Sequence, residues 1–343
     1  MKSKRAKIDN SRKVLIVLSI LLIILALICF TKNNNYSEID KSENSYTVTM
    51  LGGGNLEENV NLNSMGYLIQ TQNNKLIIVD GGRETDVDLV IDKIKSLGNG
   101  KVDYWFLTHA HNDHIGALVQ LLENNEQGIS IDNLCYNFNS KEWYQKYDPE
   151  RCEVALKFLD YIDKNPGNII KNIKICNAGE VLEIDNLSCK ILRVSNPSIV
   201  ESKYTGNEAS MVFKFLIKKQ DGTFSDKDIL FLGDSYIEAG NELINNCYDD
   251  LKSYAVQMAH HGQDGVSKEV YDVIDPSICF FNAPKWLYEN DNGGGYNNGK
   301  WKSIEVRSWL EDSSRGKERT FFQAYNGDIV LKITDAGYQI IDK

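Results

Sequence analysis

The run Thr108-His109-Ala110-His111-Asn112-Asp113-His114 sets three imidazoles and a carboxylate within a few residues of one another. Histidine is the commonest protein ligand for metal ions, and carboxylates bind the same divalent cations. His109 and His111 lie two apart in an extended turn, so both rings can reach one ion. Asp113 and His114 open the helix that follows and can reach a second. The chain holds five histidines, and the other two are the adjacent His260 and His261. No imidazole is left for a Ser/His/Asp or Cys/His pair. The chemistry this set points to is hydrolysis by water activated at one or two divalent ions. An exposed polar turn with stray histidines is the plainer alternative, and it leaves the pairing of the two clusters unexplained.

Such residues need elements that carry them to one place. Apolar β-type runs are predicted at 46–50, 66–71, 75–80, 103–109, 211–217, 229–234, 254–260 and 277–281, and helical periodicity at 88–98, 114–125, 153–164 and 303–312. Asp80, His109, Asp234 and His260 each close or directly follow one of the strand runs. In layered α/β sheets the carboxyl ends of buried strands form the crevice where ligands bind, so these polar positions are expected to converge there. The alternation gives a mixed α/β domain without repeats.

Composition bounds the rest. The 343 residues are 42% hydrophobic and 25% charged, with a net charge of −10. The first 13 residues stand at about +5, which leaves about −15 on the remainder. That acidity disfavours nucleic acid as a partner. Residues 14–30 are apolar throughout and follow the basic residues 1–13. This predicts a single membrane anchor with a cytoplasmic basic tail and an extracellular C-terminal part. A cleaved signal peptide fits less well, because the apolar stretch is long and ends in Ile28, Cys29 and Phe30. Residues 31–45 read as a polar linker, and 46–343 as one hydrolase-sized domain. Seven cysteines without a Cys-x-x-Cys exclude a disulfide scaffold. Cys176 and Cys189, flanking a predicted hairpin, are the best pairing candidates, though buried free thiols are the favoured reading.

The sequence resembles the metallo-β-lactamase superfamily, specifically its hydrolases related to the ComEC/Rec2 competence domain. The resemblance covers roughly residues 46–335. It rests on Asp80-Gly81-Gly82, the His109–His114 run, Asn207-x-x-Ser210, Phe231-Leu232-Gly233-Asp234 and His260-His261-Gly262. It implies a four-layer αβ/βα sandwich with a metal site at one edge, usually holding zinc, with manganese or iron as alternatives. By the resemblance His109 and His111 hold one metal, Asp113 and His114 the second, and Asp234 bridges them. One of His260 and His261, with His260 preferred, completes a shell, and Asp80 supports the histidine loop from behind. Asp113 and Asp234 are the carboxylates expected to serve the catalysis. Members usually carry one further histidine, either between the first run and the bridging Asp or late in the chain. Residues 115–259 contain none, and none follows His261. One metal position is therefore under-ligated, completed by His261, or absent.

The His after Asp113 and the carboxylate at 234 resemble phosphodiesterase- and thioesterase-type members rather than lactamases. Tyr136, Trp143, Tyr144 and Tyr147 in one segment, and Trp286, Tyr288, Tyr296 and Trp301 in a Gly/Asn-rich one, are candidate pocket aromatics, with Trp286 and Trp301 foremost. The expected substrate is a small phosphoester or cell-envelope phosphoester, phosphocholine esters included, since related extracellular members cleave these. The alternatives are a surface binding or sensor protein on a degenerate scaffold, and a competence-type nuclease.

Overall fold

Strand β3 (Leu76–Asp80) is buried at every position, the pattern of a strand covered on both faces, and β4 (Lys101–Phe106) is buried at Val102, Trp105 and Phe106. The computed structural model describes residues 44–56, 62–124, 128–164, 169–219, 221–311 and 317–342. Among these residues, β3 and β4 lie in a sheet ordered β15-β14-β1-β2-β3-β4-β5-β6. Its other members are β1 (Ser45–Met50), β2 (Gly66–Gln70), β5 (Ser130–Tyr136), β6 (Ile170–Ile175), β14 (Ile329–Thr334) and β15 (Gly337–Asp342). A second sheet runs β13-β12-β11-β10-β9-β8-β7. It comprises β7 (Val181–Ile184), β8 (Leu187–Arg193), β9 (Val212–Ile217), β10 (Ile229–Phe231), β11 (Ala255–Gln257), β12 (Ile278–Phe281) and β13 (Thr320–Gln323).

The sheets pack face to face through a core drawn from both. Tyr67 meets Phe231 edge-on with ring centroids 5.2 Å apart, and Phe231 stacks on Phe213 at 5.5 Å. Phe106 reaches Phe213 from the first sheet at 5.2 Å. Helices Val87–Gly98, Asn112–Glu123 and Cys152–Asp163 cover the outer face of the first sheet with a second core. Helices Ile237–Leu251, Lys268–Ile274 and Ser303–Glu311 cover the second sheet in the same way. The result is a four-layer αβ/βα sandwich.

β3, β4, β5 and β6 run parallel, as do β10, β11, β12 and β13. Parallel strands send their carboxyl ends to one edge, and the polar motifs leave from there: Asp80 from β3, the histidine run after β4, Asp234 after β10, and His260-His261 after β11. Three of these strands are shorter than the apolar runs predict. The reason is visible in their hydrogen bonds. Thr108 N–H donates to Asp80 Oδ1 at 2.8 Å, and Leu232 and Gly233 N–H donate to the side chain of Gln257 at 2.9 and 2.7 Å. Donors committed to side chains cannot continue a ladder.

The helix Ile237–Leu251 was not expected from periodicity. The buried Glu208 carboxylate starts it by accepting from Glu238 and Ala239 N–H at 3.1 and 2.7 Å. The six cysteines of the described residues are all free thiols, Cys176 and Cys189 included. Among the described residues no helix is long and apolar enough to cross a membrane. The apolar stretch 14–30 lies outside them.

Phe231 sits where both sheets contribute aromatic rings. Phe231→Ala is expected to lower the unfolding free energy by about 3–5 kcal/mol, read from a urea denaturation midpoint at unchanged m-value.

Candidate metal centre

Asp80 anchors the edge. It is fully buried, ends β3 at a left-handed φ of 59°, and its main-chain oxygen accepts from the Trp105 indole N–H at 2.5 Å. Its carboxylate takes the Thr108 hydroxyl at 2.8 Å and His114 Nδ1–H at 2.8 Å. Thr108 Oγ1 in turn lies 3.2 Å from His109 Nδ1. Behind the second sheet's loops, Gln257 Nε2 donates to Gly233 O and Met258 O at 3.0 and 2.7 Å, which ties the end of β10 to the end of β11. Gly233 has φ 57°, and a Cβ there would fall 2.8 Å from Thr108 Cβ, so a glycine is what lets the two sheet edges meet.

All five imidazoles have one ring nitrogen engaged from outside. The partners are Thr108 for His109, Asp80 for His114, Asp148 Oδ2 for His111 Nε2 at 2.7 Å, Asp264 Oδ1 for His260 Nδ1 at 2.5 Å, and Asn282 O for His261 Nδ1 at 2.7 Å. Four of these partners are carboxylate or carbonyl oxygens that can only accept, and the Thr108 hydroxyl, which donates to Asp80, accepts from His109. Each outer nitrogen therefore carries a proton, and in a neutral ring the inner one carries a lone pair. The inner atoms then face other acceptors. His109 Nε2 lies 3.0 Å from His111 Nδ1, His114 Nε2 3.1 Å from Asp234 Oδ1, and His261 Nε2 3.3 Å from Asp113 Oδ2. His114 Nε2, Asp234 Oδ1 and His261 Nε2 are buried with no hydrogen-bond partner. Lone pairs this close repel unless protons or cations lie between them. Two donor triplets have all their ligand atoms within 4.8 Å of one another: His109, His114 and Asp234, and Asp113, His114 and His261. The residues therefore fit divalent ions.

The electrostatics agree. Burial opposes charge on His114, yet Asp234 and Asp80 outweigh it and hold the imidazole well above its ordinary pKa. Burial beside His114 and His111 holds His109 well below. Burial likewise opposes charge on Asp234, but His114 and His261 keep it well below the carboxylate range. Asp113 is lowered against its own burial by His261 and His114. Both carboxylates thus favour their charged forms.

Of the residues singled out from sequence, His109, His111, Asp113, His114, Asp234 and His261 meet at this edge, with Asp80 behind them. The sequence leaned toward His260 over His261. The fold brings His261 into a triplet with Asp113 and His114, while the His260 ring lies in the cleft wall beside Tyr204, with centroids 5.3 Å apart; both Nε2 atoms stand 3.8–3.9 Å from Asp234 Oδ2. The divergence follows from left-handed φ values of 51° and 58° at the two residues, a strained pair that throws consecutive rings to different sides. Asp148, Asp264, Gln257 and Asn282 were not anticipated.

His111, Asp113 and Asp234 open onto a cleft of about 1030 Å³ whose walls include Trp286 and Trp301, with rings 4.6 Å apart, and His109, His114 and His261 lie buried behind them. Arg83, Lys203 and Lys302 also line it. Tyr136, Trp143 and Tyr144 instead belong to the core under the outer helices, Tyr288 is buried, and Tyr296 is exposed.

Residues 61–129 match the metallo-beta-lactamase superfamily. That stretch carries Asp80 and the whole histidine run, and with the two-sheet order it gives the protein a metallo-β-lactamase-like fold. No curated protein sequence matches. Among solved structures, the metallo-beta-lactamase fold protein YhfI from Bacillus subtilis is 13% identical, over 84% of this chain and 99% of its own, at a TM-score of 0.47. Unliganded yeast PDE1 is 12% identical, over 84% and 99%, at 0.45. A diphosphatase of the PhnP family is 12% identical, over 73% and 93%, at 0.40.

A cation that satisfies these acceptors binds the folded state alone. Zinc at a hundred times its dissociation constant is expected to add about 2.7 kcal/mol, seen as a rise in melting temperature that a chelator reverses. His114→Ala, which removes an atom common to both triplets, should reduce that rise.

Proposed function

We propose that the protein is a metal-dependent phosphoester hydrolase, anchored in the membrane by residues 14–30 and acting outside the cell. The observation that carries the hydrolytic reading is the set of buried acceptors facing one another at the floor of an open cleft. Asp113, His114 and His261 would hold one divalent ion and His109 and His111 the other, with Asp234 between them. Zinc is the expected metal. Two such ions, when bound, lower the pKa of a water toward neutrality and neutralise charge on the oxygens of an in-line displacement.

The chain's own residues supply the rest. Asp80 and Thr108 hold the histidine loop, and the fixed outer protons keep the inner nitrogens turned inward. Asn63 Nδ2 donates to Asp113 Oδ2 at 2.7 Å, and Arg83 stands 4.0 Å from the same oxygen, on the cleft side. Arg83, Lys203 and Lys302 offer cationic contacts for an anionic substrate, in a cleft whose walls also carry the acidic Glu84, Glu150 and Asp264. His260, backed by Asp264, lines the cleft, where its ring can meet a substrate group. Trp286 and Trp301 offer faces for an organic group on the ester, a nitrogen cation such as choline among them. The order of the Asp80, His109–His114, Asp234 and His260-His261 motifs supports a ComEC-like extracellular type. The basic residues ahead of the apolar stretch 14–30 support the orientation.

The test is a panel of phosphocholine esters, a generic aryl phosphodiester, and cyclic and linear dinucleotides, given to the metal-loaded full-length chain. Hydrolysis of at least one phosphoester is expected, and Asp234→Asn should lower kcat/KM by at least about a hundredfold. Failure to hydrolyse any of them would overturn the reading and leave a binding protein. Protease treatment of intact cells should remove the C-terminal domain, while residual protein stays with the membrane after a carbonate wash. A protected domain would refute the extracellular placement.

A further inference from the structure

Asp148 stands apart from every motif in the sequence, yet its Oδ2 lies 2.7 Å from His111 Nε2. It caps the end of the helix Lys141–Tyr147, and its backbone is held from both sides. Asp148 N–H donates to Tyr144 O at 2.9 Å, and Asp148 O accepts from Arg151 N–H at 3.2 Å. The side chains of His111 and Asp148 are only 5% and 11% exposed, so the 2.7 Å contact sits largely out of water. The strand-to-helix segment on the other side closes it in. A Cβ at Gly206 would fall 2.1 Å from Asp148 Oδ2 and 2.4 Å from His111 Nε2, so no other residue fits there without breaking the pair.

The two presumed metal positions differ in how they are supported. His114 is backed by the Asp80 carboxylate and His109 by a hydroxyl. With His114 and His261 assigned to the other ion, the His109–His111 position has no third imidazole of its own. Its ligand strength therefore rests on how His111 is held. A carboxylate on the outer nitrogen of a ligand imidazole fixes its tautomer and makes the inner nitrogen a stronger donor.

Resting on the metal reading above, we propose that Asp148 is a positioning residue that keeps His111 in the Nε2–H form, turns Nδ1 toward His109 Nε2, and thereby sets the affinity of the metal position these two imidazoles share. Gly206 is the space the pair requires. Asp80 serves the other position in the same manner, so each metal would have one carboxylate-backed imidazole.

The test uses the full-length chain in detergent, stripped with a chelator and titrated with zinc against a chromophoric competitor. The parent is expected to bind two ions in separable steps. Asp148→Asn, which keeps an acceptor but loses the charge, should weaken one step by about 10–100-fold and leave the other unchanged. Asp148→Ala and Gly206→Ala should weaken the same step, with the metal-free melting temperature of Asp148→Asn close to the parent's. Two steps within twofold of the parent in both Asp148 variants would overturn the assignment while leaving the hydrolase reading intact. Parent protein that takes up no metal would overturn both. Nitrogen-15 spectra of the histidines in unsubstituted, metal-free protein give a check that needs no variant. His111 should appear as the Nε2–H tautomer, and an Nδ1–H signal would refute the role.

Discussion

The crowding of ligand-type atoms at one sheet edge governs this site. Asp113, Asp234 and the inner nitrogens of His109, His111, His114 and His261 are pressed together at 3.0–3.8 Å, with every outer nitrogen already engaged. Such an arrangement costs folding energy by itself, because it takes carboxylates and lone pairs out of water and sets them against each other. It persists only because the two sheets over-determine it. The aromatic contact of Tyr67, Phe106, Phe213 and Phe231 fixes how the sheets face, and the parallel strands then deliver their polar ends to one edge.

Much of this edge is legible in the chain. The spacing of His109, His111, Asp113 and His114 reads directly as a donor cluster, and Asp234 and the His260-His261 pair follow apolar runs of the right length. Asp80 is readable for the same reason, as a carboxylate at the end of a fully buried strand. Periodicity also finds β1, β3, β12 and the helices Val87–Gly98 and Cys152–Asp163, where burial alternates or persists along the element.

The rest depends on contacts between distant positions. Asp148 looks like an ordinary turn residue before Pro149, and only the approach of His111, 37 residues away, gives it a partner. Gln257 reads as a polar residue misplaced in a strand until its amide is seen to join the ends of β10 and β11. The helix Ile237–Leu251 begins on a carboxylate from Glu208, which no local pattern announces. Strand ends were overestimated at β4, β10 and β11, because side-chain acceptors there capture main-chain donors that periodicity assigns to a ladder.

The turn at His260-His261 has a mechanical consequence. Two successive residues in the left-handed region form a short, stiff crank, pinned at one end by His260 N–H on Gly233 O and at the other by Asn282 O on the second ring. One arm of the crank reaches the solvent-filled cleft and the other reaches the donor atoms beneath it. Each ring keeps its own anchor, Asp264 for His260 and Asn282 O for His261, so one backbone turn serves the cleft and the donor cluster at once.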